Sequence, residues 1–158
     1  MLKNYILGTE IAKVGNFHIA NISMLLKNNN LIEGIDYLKF GGITLLNKQS
    51  IRYPNYIIKA IYDTIHSSRF TDLSDLIPIT YFNEMLENNK RLIQKSYEVV
   101  VVDGKKFVRI KDAKLKDVLF DDTKVKSVVN RQEIEGLLSD KLISGYINLS
   151  NSKTLVWY

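Results

Sequence analysis

The chain has 158 residues, 46% of them hydrophobic and 25% charged, enough apolar material for one compact domain or two small ones, so a folded core rather than disorder is expected. A net charge of +5 favours a polyanionic partner, and the absence of cysteine excludes disulfides, thiolate metal sites and cysteine nucleophiles and suits a reducing compartment. No apolar run approaches the ~18 residues of a membrane span, and the first twenty residues lack an apolar stretch leading to a cleavage site. A cytoplasmic protein with no membrane partner is expected.

In chain order, Thr9 caps a short predicted helix whose Ile11, Ala12 and Val14 face inward, and Gly15-Asn16 ends it. The next segment places Phe17, Ala20, Met24 and Leu25 on one helical face and leaves His18, Asn21, Ser23 and Lys27 on others. Beyond the Asn28-Asn29-Asn30 stop, Ile35 to Phe40 and Ile43 to Asn47 predict two short strands around Gly41-Gly42, the signal of a hairpin. Asn47 can cap a further helix, and Ile57, Ile58, Ile61, Tyr62 and Ile65 recur at helical spacing between Asn55 and Ser67, predicting a long helix that bridges to the second half of the chain.

The order of features from Thr9 to Ile51 then returns from Thr71 to Ile110, a period of about 60 residues. Leu25 to Glu33 is echoed by Met85 to Gln94 with one residue inserted, and Gly41-Gly42 by Asp103-Gly104. Asp72 to Ile77 and Thr80 to Lys90 predict the paired helices again, with Pro78 near the turn and Thr80 as a cap. Val99 to Val102 and Phe107 to Ile110 predict the second hairpin. From Asp112 onward the copies diverge: Ala113 to Phe120 and Arg131 to Ile143 predict helices, Gly145 to Leu149 with Thr154 to Tyr158 predicts a hairpin, and Trp157-Tyr158 is expected to close the core, the alternatives being to seal the central sheet or to present an edge to another protein.

A helix-turn-helix followed by a glycine-turned hairpin, all within about 45 residues, resembles the winged helix of excisionases and the DNA-binding part of MerR-type regulators. Ile11 to Lys48 carries the resemblance, and Leu73 to Lys111 repeats it with Glu84 and Glu87 on its second helix. Two such modules in a cysteine-free chain resemble the TraN-type accessory DNA-binding proteins of Gram-positive conjugative plasmids. The resemblance implies an α+β fold in which two winged helix-turn-helix repeats form an internal dimer around a central antiparallel sheet, with a C-terminal helix and hairpin extension. It implies a first repeat with bridging helix over 1–68, a second repeat over 69–111 and an extension over 112–158. It also implies duplex binding near a transfer origin or promoter and a modulating role in conjugation.

In a helix-turn-helix, the start of the second helix meets base edges and residues around it hold phosphates. Position therefore selects Asn16, His18, Asn21 and Ser23 in the first copy and Thr80, Tyr81 and Asn83 in the second as base-edge candidates, asparagine having the geometry to pair with adenine. The phosphate candidates are Lys27, Lys39, Lys48 and Arg52, then Lys90, Arg91, Lys105, Lys106, Arg109 and Lys111. Around the second hairpin Lys95, Lys114 and Lys116 add to these against Glu98, Asp103 and Asp112, a density that makes affinity fall steeply with salt. For each residue the plain alternative is a solvated polar face.

His18 and His66 lack an HExxH pattern or a carboxylate cluster, no phosphate-binding glycine loop exists, and Asp121-Asp122 is an acidic pair without a site. No enzyme, no cofactor and no metal is expected. The expected partners are double-stranded DNA and other transfer or regulatory proteins, met by a monomer acting as a pseudo-dimer whose two second helices span half-sites about 10 base pairs apart. The alternative is a winged-helix protein–protein adaptor whose basic face serves solubility or an acidic partner.

Overall fold

A computed structural model of the chain describes residues 2–51, 58–86, 97–121, 123–149 and 152–158. It is a mixed α+β protein, with six α-helices and three small antiparallel sheets among the described residues. Contacts divide it into two compact units, one formed by Leu2–Asp75 with Val101–Lys105, the other by Leu76–Val100 with Lys106–Tyr158.

The first unit runs β1 (Tyr5–Leu7), α1 (Gly8–Val14), α2 (Ile19–Asn28), β2 (Tyr37–Phe40), β3 (Ile43–Asn47) and α3 (Lys59–Ser67). Its sheet has the order β1-β3-β2, with Leu7 opposite Leu45 and Phe40 opposite Ile43 across the predicted Gly41-Gly42 turn. Gly41 sits at φ +61, the left-handed region that glycine enters without a Cβ penalty. Ile11, Ile22, Leu26, Leu46, Ile61 and Ile65 form the core and are essentially fully buried. Each such side chain contributes about 1.5–3 kcal/mol relative to exposure, so α1, α2 and α3 are held by their apolar stripes rather than by helix propensity.

The helix ends explain the asparagines. Asn16 after α1 and Asn30 after α2 adopt φ +56 and +59, conformations that asparagine tolerates better than other residues with a Cβ. Each lets the next residue reach back over the last turn: Phe17 N–H donates to the Ala12 carbonyl at 2.7 Å, and Leu31 N–H to that of Leu26 at 3.2 Å. These are Schellman stops, with an apolar residue folding back onto the helix. A third ends the helix Ile134–Ser139 of the second unit, where Lys141 at φ +55 directs Leu142 N–H to the Leu137 carbonyl at 2.9 Å.

The second unit begins with β4 (Ile77–Pro78) and α4 (Ile79–Met85), then β5 (Tyr97–Val102), β6 (Lys105–Ile110) and α5 (Ala113–Phe120). It continues through β7 (Lys126–Asn130), a 3-10 turn over Arg131–Glu133, α6 (Ile134–Ser139), β8 (Gly145–Asn148) and β9 (Lys153–Trp157). The sheets have the orders β4-β6-β5 and β7-β9-β8. Asp112 caps α5 by accepting the Leu115 N–H at 2.8 Å. Phe82, Leu86, Val108, Leu115, Leu119 and Leu155 form its main core, and Ile134, Ile143 and Val156 a smaller one.

Several expectations are corrected. Among the described residues the strands form three separate sheets rather than the single central sheet expected to join the copies. Asp72 to Ile77 is not a helix: Leu73, Leu76 and Ile77 have helical spacing, yet Ile77 and Pro78 pair with Val108 and Phe107, and Pro78 lies outside the helix at the N-cap of α4. Of the pair expected over Asp72 to Ile77 and Thr80 to Lys90, only the second has a described helix, α4, and residues 87–96 lie outside the described ones. In the last third, expected as a C-terminal helix and hairpin extension, β7, α6 and the β8–β9 hairpin repeat the strand, helix and hairpin order of the other two sheets. The expected helix from Arg131 to Ile143 occupies only Ile134–Ser139 within it.

Candidate nucleic-acid interface

The strongest cluster of predicted site residues lies on α2 of the first unit. Its buried face is Ile22 and Leu26, flanked by half-buried Ile19 and Leu25; of the Phe17, Ala20, Met24 and Leu25 face expected from the sequence, Phe17 and Leu25 pack against the core whereas Ala20 and Met24 are exposed. Rotating the buried stripe turns Ala20, Asn21, Met24, Lys27 and Asn28 outward together, with Met24 59% exposed at the middle. Asn21 and Lys27, both predicted, share this face, whereas Met24 and Asn28 were missed. An Ile19-Ile22-Leu26 stripe competing with Phe17-Ala20-Met24 was the signal that could have found them.

The helix enters its position through the stop at Asn16, which is exposed. His18 is the N-cap residue, its ring Nδ1 accepting from the Ala20 N–H at 3.3 Å, so it organises the first turn as a Ser or Asp cap does. Ser23 is half-buried on the side of α2 that faces the β2–β3 hairpin. There a cleft of about 260 Å³ is lined by Thr9, Ile19, Ser23, Thr44 and the hairpin turn, with Lys39 and Lys105 as its charged residues. Lys105 enters because Val101–Lys105, the turn between β5 and β6, belongs to this unit by contacts. Asp103 of that turn, at φ +48 before Gly104 at +77, faces the Lys13 ammonium at 3.7 Å. Lys48 is exposed just beyond β3, its N–H donating to the Asn4 carbonyl at 2.8 Å.

The candidates of the second unit are placed otherwise. Thr80, Tyr81 and Asn83 stand half-buried on α4, the first helix of its unit rather than the second. Tyr81 packs against the core, while Thr80 Oγ1 and Asn83 Oδ1 are buried without a hydrogen-bond partner among the described residues. Lys106 is exposed on β6. Arg109 donates to Glu98 Oε1 at 3.1 Å and Lys111 lies 4.0 Å from Glu98 Oε2, so one carboxylate faces two of the predicted phosphate contacts. Arg52, Lys90 and Arg91 lie outside the described residues. The acidic residue Asp121 accepts from the Thr123 hydroxyl and N–H and from Lys124 at 2.9 Å, which holds its carboxyl far below the usual carboxylate range.

What the arrangement offers chemically is one uncovered helix face with amide and ammonium groups beside a cationic hairpin, suited to base edges and phosphates together. No helix among the described residues is long and apolar enough to cross a membrane. No protein-family profile and no curated protein matches the chain. A solved structure does: one described with the regulators CheP and CheQ, which specifically control transcription of the chemotaxis core gene cheVAW in Campylobacter jejuni. It superimposes with a TM-score of 0.54 at 15% identity, covering 99% of this chain and 93% of that one, and the two share a fold.

Proposed function

We propose that this protein is a sequence-preferring double-stranded DNA-binding regulator, a binder rather than an enzyme, that lays α2 of its first unit into the major groove. The observation that carries the reading is the outward face of α2: Asn21, Met24 and Lys27 stand uncovered one turn after a helix–stop–helix junction, with the Lys39 hairpin alongside. A helix after a short turn, followed by a two-stranded hairpin, is the layout by which winged helices read a duplex. Asn21 would read a base edge, Met24 would contact a thymine methyl, and Lys27, Lys39, Lys48 and Lys105 would hold phosphates. The fold shared with a structure of transcription regulators supports control of transcription as the role. Action near a plasmid transfer origin rests on the sequence resemblance to TraN-type proteins alone.

Selecting bound duplexes from a random pool, followed by footprinting, tests this. A preferred sequence protected over at least one major-groove turn is expected, and substitution of Asn21 should blur the preference while leaving residual binding. Recovery of no sequence above the random background would remove the proposal and leave the protein–protein adaptor.

A further inference from the structure

In the second unit β8 is an edge strand of the sheet β7-β9-β8 among the described residues. Two helices cover its faces: α5 supplies Leu115, Val118 and Leu119 to the side carrying Ile147, Leu155 and Trp157, and α6 supplies Ile134 and Leu137 to the side carrying Val156. β8 is the outermost strand, with Tyr146 opposite Val156 and Ile147 opposite Leu155 on β9. On its far side no described strand follows, and an edge strand presents main-chain N–H and C=O groups that a further strand can pair with.

A cleft of about 460 Å³ runs along that edge, within the roughly 300–1,000 Å³ of ligand sites. The consecutive residues Ser144 to Asn148 form its floor, Lys114 of α5 and Leu138 of α6 line it, and Trp157 completes it. The indole lies across Gly145, where a Cβ would come within 2.3 Å of the ring Cζ2, so the ring presents a flat surface beside the strand. The Lys114 ammonium is the lone charge in the lining among the described residues, and Leu138 is a 43% exposed apolar residue.

We propose that this cleft is a strand-addition site for an extended segment of another protein in which acidic and apolar residues alternate. Successive residues of an added strand point to opposite faces of the sheet. Those on the α5 side meet Lys114 and Trp157, and those on the α6 side meet Leu138. A carboxylate on the α5 side therefore answers the ammonium, and an aliphatic side chain at the next position answers the leucine, an alternation that keeps this pairing in any register shifted by two, while main-chain pairing with β8 supplies the rest. A second copy of this chain fits less well. The β8 sequence Gly-Tyr-Ile-Asn holds no carboxylate, so pairing β8 with itself would bring two Lys114 ammonium groups in with no partner for either.

Trp157 is the chain's single tryptophan, so its emission reports occupancy directly. The probe is the blocked hexapeptide acetyl-(Glu-Val)₃-amide, titrated into the full chain, with the matching (Lys-Val)₃ peptide as control. The expected result is a saturable change in Trp157 emission for the Glu-Val peptide alone, accompanied by slowed amide exchange along Tyr146–Asn148. Lys114→Glu should weaken that binding about tenfold or more, as loss of one charge-assisted hydrogen bond does, and transfer the preference to the Lys-Val peptide. Both Lys114 and Leu138 are exposed, so these variants, Leu138→Lys included, should keep the parent far-ultraviolet dichroism. Equal response to both peptides, no saturable change at millimolar peptide, or emission change without edge-amide protection would overturn the proposal. So would a concentration-dependent emission change with self-association in the absence of peptide, which would give the edge to a second copy. None of these outcomes bears on duplex binding by α2.

Discussion

The Phe17 ring lies against the backbone of Gly15, where a Cβ would sit 2.2 Å from the ring Cε2 and 2.7 Å from Cδ2. Gly15 is therefore required by space, although its own φ of −84 suits any residue. The contact fixes the turn between α1 and α2, and with it the direction in which α2 points. Gly15→Val should expel the ring at a cost of about 1–3 kcal/mol, the usual range for overpacking. Urea unfolding of parent and variant measures this, and unchanged midpoints would show that the ring yields freely.

Asn21 and the lysines around it make different demands on DNA. Asn21→Ala should cost about 1–3 kcal/mol on the preferred duplex and little on random sequence. Lys27→Ala and Lys39→Ala should weaken both duplexes alike and lower the salt slope of log affinity by about 0.9 for each phosphate no longer neutralised. Affinities on two duplexes across a range of salt concentrations separate these effects. An Asn21 variant that loses affinity equally on both would place Asn21 among the phosphate-holding residues.

Glu98 faces both Arg109 and Lys111, so it restrains the positive field of the second hairpin. Glu98→Gln removes that opposing charge and should tighten non-specific duplex binding severalfold at low salt, an advantage that fades as screening rises. Half-exposed ion pairs stabilise by only about 0–1 kcal/mol, so the melting temperature should barely move. Unchanged low-salt affinity would mean that the second hairpin does not approach the duplex.

The Asp121 carboxyl is held well below its ordinary value of 3.8, first by the Thr123 hydroxyl and then by the Lys124 ammonium. Because the folded value is depressed, the ionised group adds stability that is complete above the unfolded value and is lost as pH falls through the folded one. Asp121→Asn should therefore lower the melting temperature at neutral pH, and the gap from the parent should shrink steadily once the pH drops below about 4. Thermal melts across the acid range read the gap, and a constant one would contradict the assignment.

Much of the fold is legible in the sequence where local chemistry decides it. Gly41-Gly42 and Asp103-Gly104 mark hairpin turns and the asparagine run marks the end of α2, because a left-handed residue is required there, and Asp112 marks the start of α5 because its side chain caps the helix. The opening strands are not legible. β1 has three residues and β4 two, too short for alternation to register, and both exist only through pairing with a partner strand some thirty or more positions away. Without β4 the second copy slides by one element, which is why the spacing assigns Thr80, Tyr81 and Asn83 to a second helix. The half-right face of α2 has the same origin, since two apolar stripes fit one helix and only packing with Leu46 and Ile61 in the folded core chooses between them.

In all three sheets the strand that comes last in sequence sits in the middle. Each sheet is thus finished only when its closing strand slides between its two predecessors. Because the partners in each case lie some two to four dozen residues apart, each closure is non-local and bears a loop-closure cost before its contacts form. A chain emerging from the ribosome could lock one sheet before the strands of the next are made, so truncation after β3 should trap a natively paired first sheet, whereas truncation before it should leave β1 and β2 without the strand that joins them.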